Sequence, residues 1–294
     1  MTTVGFIGLG SMGLPMAKNL VARGFAVRGF DIRPGAIDSL VEAGGTRATA
    51  PADAADGANV LVLMVVNATQ AEAVLFEAGA LSRLSTSGTV VLMATCPPRA
   101  VETIAARVVE TGRSFVDAPV SGGVVGAQAA TLTIMAAAPR VTFEAAQPVL
   151  DALGDKIFHV GERPGQGATV KTINQLLCGC HIAVAAEAFS LAGKAGLDQR
   201  VLLEILSGSS ASSWMLKDRG PRILQDEPPV TSAVDIFVKD LGIVLEAGRD
   251  IKAALPLAAM AHQMFLAASG QGHGDADDSQ VIRAYRALNQ SPRQ

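Results

Sequence analysis

Aromatic residues are scarce in this chain, making up 4% of its 294 residues with one Trp and one Tyr. Base-stacking surfaces are built from aromatic faces, so a nucleic-acid binder of that kind is excluded. Charge of one sign is equally hard to find. Lys and Arg number 24 against 27 Asp and Glu, with no long run of either, so neither nucleic acid nor a membrane surface is indicated as partner. The three cysteines, Cys96, Cys178 and Cys180, are too few and too odd in number for a disulfide framework. On a helix Cys178 and Cys180 would point apart, and no His stands at ligand spacing, so no metal site is expected. The N-terminal segment has no basic stretch and is broken early by glycine, unlike a signal peptide. The longest apolar stretches hold a proline, as around Pro256, or fall short of about 18 residues, so no membrane span is expected. The expectation is a soluble, cytoplasmic protein, long enough for two cores.

The chain does carry a glycine fingerprint in context. Val4 to Leu9 is a short apolar run that ends in Gly8, Leu9, Gly10, Ser11, Met12 and Gly13. An amphipathic segment to Arg23 follows, then a second strand, Ala26 to Phe30, that ends at Asp31. Strand, GxGxxG, helix, strand and acid together indicate a dinucleotide site. The first glycine permits the tight turn, the second lets the backbone approach a pyrophosphate, and the third lets helix and strand pack. The helix N-terminus faces the phosphate charge. Asp31 can accept from the adenosine ribose hydroxyls and would repel a 2′-phosphate, which favours NAD over NADP. Arg33 is taken as a solvated loop residue.

Strands and helices alternate as far as Val160. Asn59 to Val66 and Thr89 to Met93 are continuous apolar runs, as in parallel strands covered on both faces. Loops at the carboxyl ends of such strands border the ligand crevice, which makes Val66, Asn67 and Thr95 candidates to touch the cofactor. A strand from Ser114 then ends in Ser121, Gly122 and Gly123, which offer a hydroxyl and backbone N–H groups to an anion such as a carboxylate. Glu162 to Gly165 marks a boundary. Residues 1–164 form a Rossmann-type α/β domain, and residues 165–294, where the strand pattern disappears, an all-α domain, joined by one long helix from Gly165 to Gly196.

That helix is nearly apolar all round, yet Lys171, Asn174, Gln175 and Cys178 fall in one stripe, with His181 at its edge. An apolar helix is normally buried, so the stripe is expected to face a cleft. Lys171 is the candidate general acid or base. Its ordinary pKa of about 10.4 suits it to donate to a carbonyl during reduction, and partial burial is needed for the oxidation direction. Asn174, Gln175 and His181 are candidates to bind substrate hydroxyls or a carboxylate. Lys239 and Asp240 read as an exposed ion pair, with a lysine that closes over the cofactor as the alternative, and spacing does not decide between them.

Four runs, GFIGLGSMGLPMAKNL, DAPVSGGVVGA, GATVKTINQLL and FVKDLGIV, together resemble the β-hydroxyacid dehydrogenases over nearly the whole chain. The apolar helical domain is expected to bury surface against a partner subunit, in a homodimer or homotetramer, and the resemblance implies an active site between a Rossmann-type and a helical domain. It also implies NAD as cofactor and a small hydroxy acid as substrate. Lys171 matches the family's catalytic lysine, Ser121, Gly122 and Gly123 its carboxylate loop, and Asn174 its substrate-binding asparagine. Lys239 matches a lysine near the nicotinamide, which displaces the ion-pair reading. Departures are Gln175, where the family often has a second asparagine, and Ala130, Ala136 and Ala137 in place of usual glycines. Gln175, His181, Trp214 and SAVDIFVKDLGIV look most like the branch acting on four-carbon sugar acids such as L-threonate. Within the family the alternatives are oxidation of 3-hydroxyisobutyrate and reduction of tartronate semialdehyde; outside it the rivals are a dinucleotide-binding scaffold without activity and an imine reductase, and Lys171 stands against both.

Overall fold

The computed structural model describes residues 2–289. Contacts divide the chain into two units, Met1–Lys171 and Thr172–Gln294.

The first unit is built on one nine-stranded sheet. Its strands are β1 (Thr3–Ile7), β2 (Ala26–Phe30), β3 (Thr46–Arg47), β4 (Val60–Leu63), β5 (Thr89–Leu92), β6 (Ser114–Asp117), β7 (Val120–Ser121), β8 (Leu132–Ala137) and β9 (Gly154–Gly161). The order is β3-β2-β1-β4-β5-β6-β8-β7, with β9 on β8. From β3 to β6 every pairing is parallel, whereas β8 runs antiparallel to β6 and β7. The four residues of β4 and the four of β5 are all buried, as continuous apolar runs in a sheet covered on both faces must be. Progression reverses between β1 and β4, and the glycine turn leaves the carboxyl end of β1 at that switch point. One apolar cluster lies on each face, around Phe6, Met16 and Leu20 on one side and Leu61, Leu63 and Leu92 on the other.

The helical unit has its own core, centred on Phe189, Phe237, Leu241 and Phe265. The helix spanning both units runs from Gln166–Lys194. It is capped from a distance: Asp117 Oδ2, at the end of β6, accepts from Gly165 N and Ala168 N, each at 2.9 Å. Burial outweighs these bonds and pushes the Asp117 carboxyl up to about 6.

Two expectations are revised here. This helix is long and apolar enough, at a mean hydropathy of 1.6, to meet the length and composition of a membrane span. Its polar groups argue for a core helix instead, because Lys171 and Gln175 are buried. The helix is also not apolar-and-buried with one polar stripe. Ile173, Leu177, Val184 and Leu191 are each more than half exposed and, at helical spacing, share one stripe.

Candidate active site

The glycine turn shows three different steric situations. Gly8 has φ +96°, and a Cβ there would come within 2.3 Å of Met64 O. At Gly13 a Cβ would sit 1.8 Å from Gly8 O. At Gly10 the nearest atom to a Cβ is Arg33 Nη2 at 3.5 Å, so the protein alone leaves room for a side chain. Fold therefore requires Gly8 and Gly13, while Gly10 keeps the backbone open to an approaching group. The Gly13–Ala22 helix that follows has no side-chain cap and no acid in its first turn, as suits an anion at its N-terminus. Ser11 and Met12 lie in this turn. The donor set fits a dinucleotide pyrophosphate.

Asp31 has partners within the protein. Its Oδ2 accepts from Leu9 N at 2.7 Å, tying the end of β2 to the glycine turn. Its Oδ1 accepts from Arg33 N at 2.8 Å and Arg33 Nε at 3.1 Å. Partial burial works against the charged form, but the Arg33 side chain and these backbone donors prevail and hold the carboxyl below its usual range. Arg33 also donates to Leu9 O at 3.3 Å. It is thus no freely solvated loop residue, although its side chain is 63% exposed.

Val66 and Asn67 follow β4, and Thr95 follows β5, at the carboxyl ends of neighbouring parallel strands. The loop after β4 is held by its own side chains. Asn67 Oδ1 caps the next helix by accepting from Gln70 N, and Val66 N donates to Gln70 Oε1, both at 2.9 Å. Ser121 closes β7, paired with Thr133 across the antiparallel ladder. Gly122 and Gly123 then take φ values of +126° and +62°, turning the backbone into a short helix. That helix ends at Ala130 in the left-handed region, φ 55°, a conformation that costs an alanine about 1 kcal/mol and a glycine little.

In the helical unit a side-chain cluster joins elements distant in sequence. Asn174 Nδ2 donates to Gln175 Oε1 at 2.9 Å and to Cys178 Sγ at 3.3 Å. Gln175 Nε2 in turn donates to Asp240 Oδ2 at 2.5 Å. Lys239 Nζ lies 2.6 Å from Asp240 Oδ1, an ion pair without directed hydrogen-bond geometry. The ion pair read from the sequence therefore exists, but it is not exposed, since the Asp240 side chain is 3% accessible and that of Lys239 24%. Gly179 permits this join: a Cβ there would lie 2.8 Å from Leu241 Cδ2, so the two helices meet closely one turn beyond Gln175.

Lys171 is buried, 6% exposed, as expected of a candidate general base in the oxidation direction. His181, about 10 Å further along the axis than Asn174, is half-buried and takes no part in the Asn174–Gln175–Asp240 cluster. No group of three or more His, Cys, Asp or Glu among the described residues could hold a metal ion. Asp240 itself is a residue that sequence reasoning set aside. Its signal was an acid on an apolar helix face, visible only once the face was known to be buried.

Residues 3–161 match the model of the NAD-binding domain of 6-phosphogluconate dehydrogenase. Residues 165–285 match the NAD-binding model of NADP-dependent 3-hydroxyisobutyrate dehydrogenase. This chain is a β-hydroxyacid dehydrogenase. It is 44% identical to L-threonate dehydrogenase of Cupriavidus necator, over 97% of this chain and 96% of that one. It is 35% identical to 3-hydroxyisobutyrate dehydrogenase of Pseudomonas aeruginosa, over 97% and 99%. A crystal structure described as 3-hydroxyisobutyrate dehydrogenase from Salmonella typhimurium superposes with a TM-score of 0.92 at 38% identity, covering 96% and 99%. As a member of this family the chain is an NAD-dependent hydroxyacid dehydrogenase with a Rossmann-type first domain and a helical second one.

Proposed function

We propose that this dehydrogenase oxidises L-threonate at C2 to the 2-oxo acid. The observation that carries the substrate reading is the full-length identity of 44% to an L-threonate dehydrogenase. The polar Asn174–Gln175–Asp240 cluster supports it, because a substrate rich in hydroxyls needs buried partners that a methyl-bearing analogue would leave unpaired. NAD, when bound at the glycine turn with its ribose toward Asp31, supplies the acceptor for the hydride that leaves C2. Lys171 Nζ takes the proton from the C2 hydroxyl as the carbonyl forms, and returns it in the reverse direction. Ser121, with Gly122 and Gly123, holds the carboxylate, and Lys239 stands by the nicotinamide and substrate. Asp31 selects NAD over NADP.

Steady-state rates with NAD across threonate, erythronate, 3-hydroxyisobutyrate and glycerate test the substrate. Threonate gives the highest kcat/KM, and a clear excess for 3-hydroxyisobutyrate would overturn this reading. In the same assay Lys171→Ala loses about 10²–10⁴ in kcat while NADH fluorescence still reports binding. Unchanged turnover in that variant would remove Lys171 from the chemistry.

The exposed stripe of Ile173, Leu177, Val184 and Leu191 runs along a helix of about 43 Å, and we assign it to self-association of a cytoplasmic homodimer or homotetramer. Light scattering on a Val184→Lys, Leu191→Lys double variant should find a smaller species than the parent. An unchanged mass would move the interface elsewhere.

A further inference from the structure

The hydrogen-bond polarity of the helical unit's cluster can be followed atom by atom. A carboxylate only accepts, so the end of the Gln175 amide that faces Asp240 must be its nitrogen. Gln175 Oε1 is thereby turned toward Asn174, and it too only accepts. The end of the Asn174 amide that meets it must therefore be Nδ2, whose second hydrogen points at Cys178 Sγ. Both Asn174 donors are engaged. What its half-exposed side chain has left to offer a ligand is Oδ1, an acceptor.

From this polarity we infer that Gln175 is a positioning residue that fixes Asn174 as an acceptor, so that Asn174 takes a hydroxyl of the substrate and turns away its carboxylate. The inference rests on the hydroxy-acid reading above and narrows it, since Asn174 could otherwise serve either group. Length matters at position 175. An asparagine is shorter by one C–C bond, about 1.5 Å, and from the same backbone would fall short of Asp240. Without the anchor, the Asn174 amide torsion has two nearly equivalent settings and presents N–H as readily as oxygen. The close helix contact at Gly179 and Leu241 sets the separation that the Gln175 side chain bridges. A substrate with a hydroxyl at this point gains a partner, whereas one with a methyl or hydrogen leaves Asn174 Oδ1 bare.

The test titrates NADH-saturated protein by calorimetry with three acids. They are L-threonate, 2,3-dihydroxybutanoate, which lacks the C4 hydroxyl, and 2,4-dihydroxybutanoate, which lacks the C3 hydroxyl. The parent prefers threonate to at least one deoxy acid by about tenfold. Gln175→Met, similar in length but unable to hold the amide, loses that preference to within about twofold, while NADH affinity stays at the parent's value; the Asp240 oxygen left without its donor lowers Tm. Gln175→Asn, polar but short, does not restore it. Should Gln175→Met fail to fold, Asn174→Leu on the half-exposed side of the cluster is titrated in the same way, with the same loss expected. Equal weakening of all three acids, or a preference that survives the substitution, overturns the inference while threonate binding by the parent still upholds the wider reading. A parent that binds none of the acids overturns both.

Discussion

The two units handle ligand chemistry with different materials. In the first, the groups proposed to bind ligand are largely backbone: the glycine turn and the helix start at Gly13 for the cofactor, and the loop after Ser121 for a carboxylate. Their geometry is local, set within a few residues by what a Cβ would strike. In the helical unit the corresponding groups are side chains, and their orientation is fixed by partners 65 positions apart, as with Gln175 and Asp240. A backbone site tolerates little variation in sequence but needs few partners. A side-chain site can change its substrate by exchanging one residue, at the risk of leaving a buried polar group unmatched.

The sharpest way to break this contrast is in the buried ion pairs that hold the helical unit. Arg219 Nε and Nη2 donate to the two oxygens of Asp278 at 2.8 and 2.7 Å, and the Asp278 side chain is wholly buried. Arg219→Ala strands that carboxylate and should cost about 3–5 kcal/mol in chemical denaturation. A loss below about 1 kcal/mol would mean that side-chain networks carry less of this unit than proposed.

Within the glycine turn, Gly13→Ala and Gly10→Ala should separate fold from function. The first drives a Cβ into Gly8 O and costs on the order of 3 kcal/mol. The second has space within the protein, so its melting temperature stays near the parent's while NAD affinity falls about tenfold. If both variants lose stability alike, Gly10 serves the fold.

Asp117 is the first unit's exception, a side chain that caps the spanning helix from another element. Its folded pKa, about 6, lies above the ordinary value of 3.8, so the fold favours its protonated form. Its contribution is therefore fully present below pH 3.8 and is lost as pH rises toward 6. Melting curves from pH 4 to 7 should show the Asp117→Asn difference from the parent moving in the variant's favour with rising pH. A flat difference would remove this carboxyl from the pH dependence.

The smallest effect belongs to Ala130, held at φ 55°. Ala130→Gly relieves the left-handed strain and should add about 1 kcal/mol or less, allowing for the glycine's greater freedom when unfolded. A loss of stability would show that the alanine methyl contributes packing that outweighs the strain.

Much of the fold was legible because its signals are short-range. Continuous apolar runs gave β4 and β5, and the glycine spacing with Asp31 gave the turn and its neighbouring strand. Less legible were the residues whose meaning lies in a distant partner. Arg33 looked solvated but folds back on Asp31. Lys239 and Asp240 looked exposed, yet Asp240 is buried against Gln175. The helix from Gln166 looked buried on its apolar sides, and one of those sides is open.

Sequence alone determined the alternation of strands and helices in the first domain, the dinucleotide turn, Lys171 on a polar stripe and membership of a hydroxyacid dehydrogenase family. These follow from steric and periodic rules that act over one strand or a few helical turns. Tertiary structure alone decided that Asp117 caps the spanning helix, that Gln175 points at Asp240, and that Asn174 is left with an oxygen to offer. The reason is physical: an amide has a donor and an acceptor end at equal reach, and only the partner it meets in space selects between them.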